Sequence, residues 1–460
     1  MNETTLTSLV ALLSLVLVIN LFRTRKLRQQ AEPTLQPVSK NDPVCGLPSR
    51  DVIESAIQTE IAEAKTAFRT ELGLIVFIDM DGFKPINDEY GKAAGDNVLQ
   101  VLAERLTTFV ADKAFVSRYC SDEFIVYFPA CAVSDMAVPH DLECLQAELS
   151  KAIEQDGHEV ALTASIGFYR LNETTKSPAM AIQAADIAMG ESKRQGGNVI
   201  TEFSDELHQC YQRELSIKSG LQVALTEGEL DIVYQPIVDC ETHQIVAAEA
   251  LVRWHREDGT VPPSEFVPIA EQSRQIVELN QYILRQAICE FATLSGDTRL
   301  SVNIPASQLH ATDLVGDVKK LLDETGLPSK RLYLELTETE LVITSDHVIR
   351  QLKGLRDLGV GIALDDFGTG YSNLQYLQNL PVDLIKLDRS FIENISDDEQ
   401  ASPLTNSILA MLNSLGKYLI VEGIENDEQA SYLRQFNVDA LQGFHFYKPM
   451  KLDKLTSHVR

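Results

Sequence analysis

LYLEL at 332–336, GIALDD at 361–366, LIKLD at 384–388 and LIVEGI at 419–424 decide the fold. Each is a short apolar run, and helical patterning fills the stretches between them. Near-continuous apolar runs suit strands buried on both faces, and their alternation with helices indicates a parallel α/β arrangement. Outward from these four, IVYQPI at 232–237, QIVAAEAL at 244–251, LSVNI at 300–304 and DALQGF at 439–444 repeat the pattern. Eight such runs over about 240 residues predict a barrel.

The polar residues of these runs fall in a telling place. Gln235, Glu249, Asn303, Glu335, Asp365 with Asp366, Lys386, Glu422 and Gln442 lie, nearly all, at or near the carboxyl end of their run. In a barrel those ends converge on one face, where active sites sit. A single acidic strand end is explained by a helix N-cap or a solvated loop; eight in succession are harder to explain that way. Five carboxylates aimed at one point repel one another and raise one another's pKa values, and divalent cations relieve that repulsion. The oxygen-rich donor set, with no Cys or His, suits Mg²⁺ or Mn²⁺. The adjacent Asp365–Asp366 pair suits two ions about 4 Å apart, as in two-metal phosphoryl chemistry. Lys386 supplies a positive charge that positions the attacking water. The pattern is that of phosphodiester cleavage.

The whole chain has 460 residues, too many for one ordinary core. Hydrophobic residues make up 44% and charged residues 23%, which are globular proportions. Lys and Arg number 40 against 67 Asp and Glu, giving −27. Such a chain is a poor candidate for gripping a nucleic-acid polymer through its phosphates, although metals that reverse the local field admit a small anion. Cysteines stand at 45, 120, 131, 144, 210, 240 and 289, an odd number with no CxxC pair, so neither a disulfide framework nor a zinc ribbon is indicated.

Leu6 to Phe22 is an uncharged run of 17 residues followed by Arg23, Arg25, Lys26 and Arg28. It reads as a single membrane anchor with the rest of the chain in the cytoplasm, a single-pass protein of the bacterial inner membrane. A cleaved signal peptide fits less well, because Glu3 replaces the expected basic flank. Residues 23–41 carry Pro33 and Pro37 and read as a linker. Residues 42–203 form an α/β unit whose stretch FVSRYCSDEFIVYF, 115–128, has a hairpin signature. Residues 204–228 read as a connecting helix, and 229–460 as the barrel. The fold class expected is therefore α/β: a membrane helix, an α/β domain with a central sheet, then a (β/α)8 barrel, which the resemblance described next implies to be a modified one.

EALVRW at 249–254, ELTE at 335–338, DDFGTGYSNL at 365–374, IKLD at 385–388 and VEGIE at 421–425 resemble the EAL domain, over about residues 213–455. That family hydrolyses cyclic di-GMP to the linear dinucleotide pGpG with two Mg²⁺ or Mn²⁺ ions. The resemblance implies Glu249, Asn303, Glu335, Asp365, Asp366 and Glu422 as metal ligands, and Lys386 as the residue that positions water. It implies Glu338 as the support of the DDFG loop, and Gln235, Leu251, Arg253 and Gln442 as contacts to cyclic di-GMP. It also implies a barrel whose first strand runs against the others. Pro305, where serine is common, and Val421, where alanine is common, are slight departures.

Residues 42–203 are similar to the GGDEF domain, which makes cyclic di-GMP from two GTP molecules. DPVCGLPSR at 42–50 and FIDMDGFKPINDEYG at 77–91 carry that likeness. The signature itself reads Cys120-Ser121-Asp122-Glu123-Phe124, with side chains where two glycines let the hairpin approach a nucleotide. Asp79 and Asp122 match metal ligands; Asn87, Asp96 and Lys193 match GTP contacts. Gly197 stands where a second basic residue is expected. The inhibitory RxxD motif is absent from the 111–114 window. The reading is a degenerate cyclase domain, either a GTP-binding regulator of its neighbour or a passive dimerisation module. Three functions follow as candidates: a cyclic di-GMP phosphodiesterase, a non-catalytic receptor, and a bifunctional enzyme. The resemblance also implies a homodimer.

Overall fold

The computed structural model describes residues 41–459 except 68–71, 134–135, 156, 339–344, 369–380 and 394–402. It divides into two compact units between Gln212 and Arg213.

The first unit is built on a sheet of β1 (Leu74–Asp81), β2 (Phe115–Cys120), β3 (Glu123–Phe128), β6 (Thr163–Arg170) and β7 (Ile200–Glu202), in the order β2-β3-β1-β6-β7. A small hairpin of β4 (Ile153–Gln155) and β5 (His158–Val160) stands apart. Alternation along β1 serves two apolar layers. Leu74, Val76 and Ile78 join the core formed with helices Lys92–Val110 and Val138–Leu149. Ile75 and Phe77 join that formed with helices Arg50–Ala67 and Pro178–Arg194. The last helix lies so close to β6 that a Cβ at Gly167 would stand 2.0 Å from the Met189 nitrogen.

The second unit is the predicted barrel. Its strands are β8 (Leu230–Asp239), β9 (Ile245–Arg256), β11 (Arg299–Asn303), β12 (Leu332–Thr337), β13 (Gly361–Phe367), β14 (Leu384–Leu387), β15 (Tyr418–Val421) and β16 (Ala440–Gln442), with β10 (Gly259–Val261) extending the β9 edge as a hairpin. The β9–β11–β12–β13–β14–β15–β16 pairings are parallel. β8 closes the ring antiparallel to both β9 and β16. Helices between the strands cover the ring with one continuous apolar core.

The expected single-pass location in the inner membrane is corrected here. Among the described residues no helix is long and apolar enough to cross a membrane. The longest described helix, Asp205–Glu227, carries Asp205, Glu206, Arg213, Glu214, Lys218 and Glu227, too many charges for a bilayer core. Residues 6–22, on which the expectation of an anchor rested, lie outside the described residues, as does almost all of the 23–41 linker.

Candidate active site

Strand register places the polar residues of the barrel. Asn303 stands beside Glu335, Glu249 beside both Ser301 and Gln235, and Asp365 beside Thr337. Lys386 on β14 is 1% exposed and reaches into their midst. Its Nζ lies 3.1 Å from Glu335 Oε2, 3.3 Å from Glu249 Oε2 and 3.3 Å from Asp365 Oδ1, and it also pairs with Glu422. One cation is thus shared by four carboxylates.

Neutral donors complete the arrangement. Asn303 Nδ2 donates to Glu249 Oε1 at 2.8 Å and Gln442 Nε2 to Glu249 Oε2 at 2.7 Å. Ser301 Oγ donates to Glu335 Oε1 at 2.5 Å, and Asn280 Nδ2 holds the Asn303 carbonyl at 2.6 Å. Ser301 and Asn280 carry no mark in the sequence, because each sits among apolar residues on the buried face of its strand or helix.

Regular β geometry sends consecutive side chains to opposite faces. The pair Asp365–Asp366 escapes that rule through an irregularity between Leu364 and Phe367 in the β13–β14 pairing. Asp366 takes φ 51°, a left-handed conformation that aspartate tolerates better than most residues. Carboxylate oxygens of Glu249, Glu335 and Asp365 lie within 4.8 Å of one another, and so do those of Asp365, Asp366 and Glu422. The two groups share Asp365.

Burial dominates the electrostatics. It pushes Glu335 well above the usual carboxylate range despite Lys386. It drives Glu422 up to about 8, and Asp366, with help from Asp365, up to about 6. Glu249 goes the other way: burial is outweighed by Lys386 and by the amides of Gln442 and Asn303. Burial opposes charge on Lys386 too, but Asp365, Glu249, Glu335 and Glu422 hold it protonated. One lysine against five carboxylates leaves an excess of negative charge on oxygen donors alone, and two adjoining clusters fit two hard divalent cations.

A cavity of about 250 Å³ opens beside the cluster, lined by Leu251, Arg253, Asn303, Pro305, Glu335 and apolar side chains such as Ile276 and Ile283. The Arg253 Nη1 donates to the Val252 carbonyl at 2.8 Å, with the rest of its fork available to the cavity. Gln235 is half-buried on β8. Glu338 is buried, and its Oε2 accepts from the Gly368 N–H at 2.8 Å. The rest of the DDFG stretch, from 369, lies outside the described residues.

A family model for the EAL domain matches residues 219–449. The chain belongs to the EAL domain family. A second model, for the diguanylate cyclase GGDEF domain, matches residues 39–199, so the two domains stand in tandem. The cyclic di-GMP phosphodiesterase NbdA of Pseudomonas aeruginosa is 33% identical over 442 residues, covering 94% of this chain and 55% of NbdA. The bifunctional diguanylate cyclase/cyclic di-GMP phosphodiesterase MucR of the same organism is 32% identical, over 94% of this chain and 63% of MucR. The solved PaMucR phosphodiesterase, a c-di-GMP complex, superposes with a TM-score of 0.50 at 33% identity, over 52% of this chain and 99% of that one. The chain spans about half the length of curated relatives such as NbdA.

In the GGDEF domain the candidate residues are less tightly joined. Asp79 is buried at the end of β1, and Lys193 Nζ lies 2.6 Å from its Oδ2. Burial raises the Asp79 carboxyl, with Lys193 opposing and Asp122 and Asp81 adding. Glu123 and Asp186 are raised as well, each chiefly by burial. Ser121 at the hairpin tip takes φ 43°. Arg118 braces that tip: its Nε donates to the Ser121 carbonyl at 2.7 Å and its Nη1 to Asp42 Oδ1 at 3.1 Å. Asn87 and Asp96 lie on successive helices, Phe83–Tyr90 and Lys92–Val110. Asn87 Oδ1 occupies the space a Cβ at Gly95 would need.

Proposed function

We propose that this protein hydrolyses cyclic di-GMP to pGpG in its EAL domain. The observation that carries the reading is the pair of carboxylate clusters joined at Asp365 around a buried Lys386, beside the cavity that Leu251 and Arg253 line. Glu249, Asn303, Glu335, Asp365, Asp366 and Glu422 would hold two Mg²⁺ or Mn²⁺ ions. When bound, the ions polarise the phosphodiester and lower the pKa of water. Arg253 offers its guanidinium to a phosphate, Leu251 packs against the ligand, and Gln235 and Gln442 present amides to it. Lys386 orients the attacking water and balances charge as the scissile bond breaks. Glu338, through the Gly368 N–H, steadies the backbone that carries Asp366. NbdA, MucR and the PaMucR complex support this substrate by their likeness.

The GGDEF domain has lost synthesis and serves as a regulator in this proposal. The side chains of Cys120 and Ser121 stand where glycines admit the nucleotide, and the Ser121 backbone keeps the positive φ that glycine would carry without cost. Asp79, Asp122, Asn87, Asp96 and Lys193 remain as a site for GTP. The homodimer implied by the resemblance belongs to the same reading and is tested by sedimentation.

The test is incubation of the full chain with cyclic di-GMP and Mg²⁺ or Mn²⁺, with and without GTP. pGpG is the expected product, stimulated by GTP. Tight binding without product under both metals would make the protein a receptor. Cyclic di-GMP formed from GTP alone would make it bifunctional.

A further inference from the structure

The opposite end of the barrel carries a second polar feature that the phosphodiesterase reading does not use. An open pocket of about 660 Å³ is lined by the charged residues Arg299, Lys330, Lys353, Arg356, Asp357 and Asp383. Arg299, Tyr333 and Gly361 are at the amino-terminal ends of β11, β12 and β13, and Asp383 immediately precedes β14. This is the face away from the carboxylate cluster.

Four cations against two carboxylates is the reverse of the balance in the chain as a whole, which is −27. One of the two carboxylates is also committed. Asp383 pairs with Arg356 at 2.8 Å and accepts from the Ile362 N–H at 3.1 Å. Nearby, Asp439 accepts from the Leu419 N–H at 2.7 Å, and Asp239 from Thr242. Arg299 and Lys353, by contrast, make no side-chain hydrogen bond or ion pair among the described residues. The Arg299 guanidinium lies over the rings of Tyr333 and Tyr418, at 5.6 and 5.8 Å from their centroids. Two ring faces fix the fork without using its N–H donors. Burial pushes the Tyr418 hydroxyl up to about 12, so that ring is neutral and does not neutralise Arg299. Gly361 gives the arrangement its room: a Cβ there would lie 2.4 Å from Tyr333 Cε1.

A fixed, half-buried guanidinium with unused donors, sharing its pocket with an unpaired lysine, is a preorganised receptor for a multiply charged oxyanion. The concave shape and volume suit a small molecule. We propose that the amino-terminal face of the barrel binds a small phosphate-bearing anion, held by Arg299 and Lys353 with Lys330 and Arg356 at the rim.

The test is calorimetric titration of the full chain with inorganic pyrophosphate in EDTA, a condition under which the carboxylate face repels anions. One pyrophosphate per chain is expected. Affinity should fall about tenfold or more in Arg299→Gln and severalfold in Lys353→Gln. Lys353 is exposed, so its variant tests the site even if loss of Arg299 disturbs folding. Cyclic di-GMP cleavage without pyrophosphate should be unchanged in both variants. No binding at millimolar pyrophosphate overturns the proposal, and so does equal affinity in wild type and Lys353→Gln. Binding of the chain to phosphatidylglycerol vesicles through these residues, with none to pyrophosphate, would replace the small ligand by a lipid surface. None of the binding outcomes depends on the phosphodiesterase reading.

Discussion

Each domain pairs a lysine with acidic strand ends, yet the two sites are built differently. Lys386 is 1% exposed and shared by Glu249, Glu335, Asp365 and Glu422, on or just after barrel strands β9, β12, β13 and β15. Lys193 is 44% exposed, at the end of a helix, and pairs with Asp79. The first site is fixed by a closed hydrogen-bonded ring, so a ligand meets donors already in place. The second draws on a strand end, a hairpin tip and a helix terminus, with no ring of strands closing around them. The difference teaches that similar charge patterns can be held by very different frames.

The largest effect should separate the domains by activity. Glu249→Ala removes a carboxylate joined to Asn303, Gln442 and Lys386, and cyclic di-GMP turnover should drop more than about a hundredfold, the upper range for groups that merely support ligands. Asp79→Ala should leave turnover without GTP within about twofold and abolish any GTP response. Equal loss in both variants would erase the contrast.

Stability should separate the lysines. Lys386→Met leaves buried carboxylates uncompensated and should destabilise the metal-free barrel by about 3 kcal/mol or more in urea denaturation. Lys193→Met should cost about 1 kcal/mol or less, because that lysine is largely solvated.

Proton linkage gives a third handle. Glu422 at about 8 and Asp366 at about 6 are raised in the folded protein above the ordinary 4.5 and 3.8. The folded state then holds more protons than the unfolded one, and stability falls as pH rises from about 5 through 8. Glu249, which is lowered, loses its contribution only below this window, and Lys386, which is raised, only above it. In EDTA the Tm should therefore be lower at pH 8.5 than at 5.5, and saturating Mg²⁺ should flatten that slope. A slope unchanged by Mg²⁺ would place the cause outside the carboxylates proposed to hold the metals.

Smaller effects sharpen the same comparison. Ser301→Ala removes the donor to Glu335 and should weaken the metal dependence of turnover about tenfold. Ser121→Gly should stabilise the GGDEF domain by at most about 1 kcal/mol, relief of the positive φ being partly offset by glycine's greater unfolded freedom; differential calorimetry reads it.

Most of the barrel could be read from the chain because strands buried on both faces leave apolar runs, and because carboxylates at run ends break them conspicuously. Other features have no such mark. β10 is three residues, Gly259–Val261, too short for a pattern. β5, His158–Val160, is equally short. The direction of β8 came from family resemblance, since periodicity is blind to strand polarity. The irregularity at Asp365–Asp366 depends on pairing with β14, a neighbour that no local window contains. Ser301 and Asn280 acquire meaning only across strands and helices.

The reversed first strand has a consequence for how the chain reaches its chemistry. In an all-parallel barrel the chain would enter at the floor. Here Leu230, at the start of β8, lies opposite Trp254, and Asp231 opposite Arg253, five and four residues beyond Glu249 along β9. Glu229 takes the Trp254 indole N–H at 2.8 Å, and Gly220 on the preceding helix lies against that ring. The doorway of the barrel is therefore on the rim that holds its carboxylates, and the last turns before it rest one residue from Arg253.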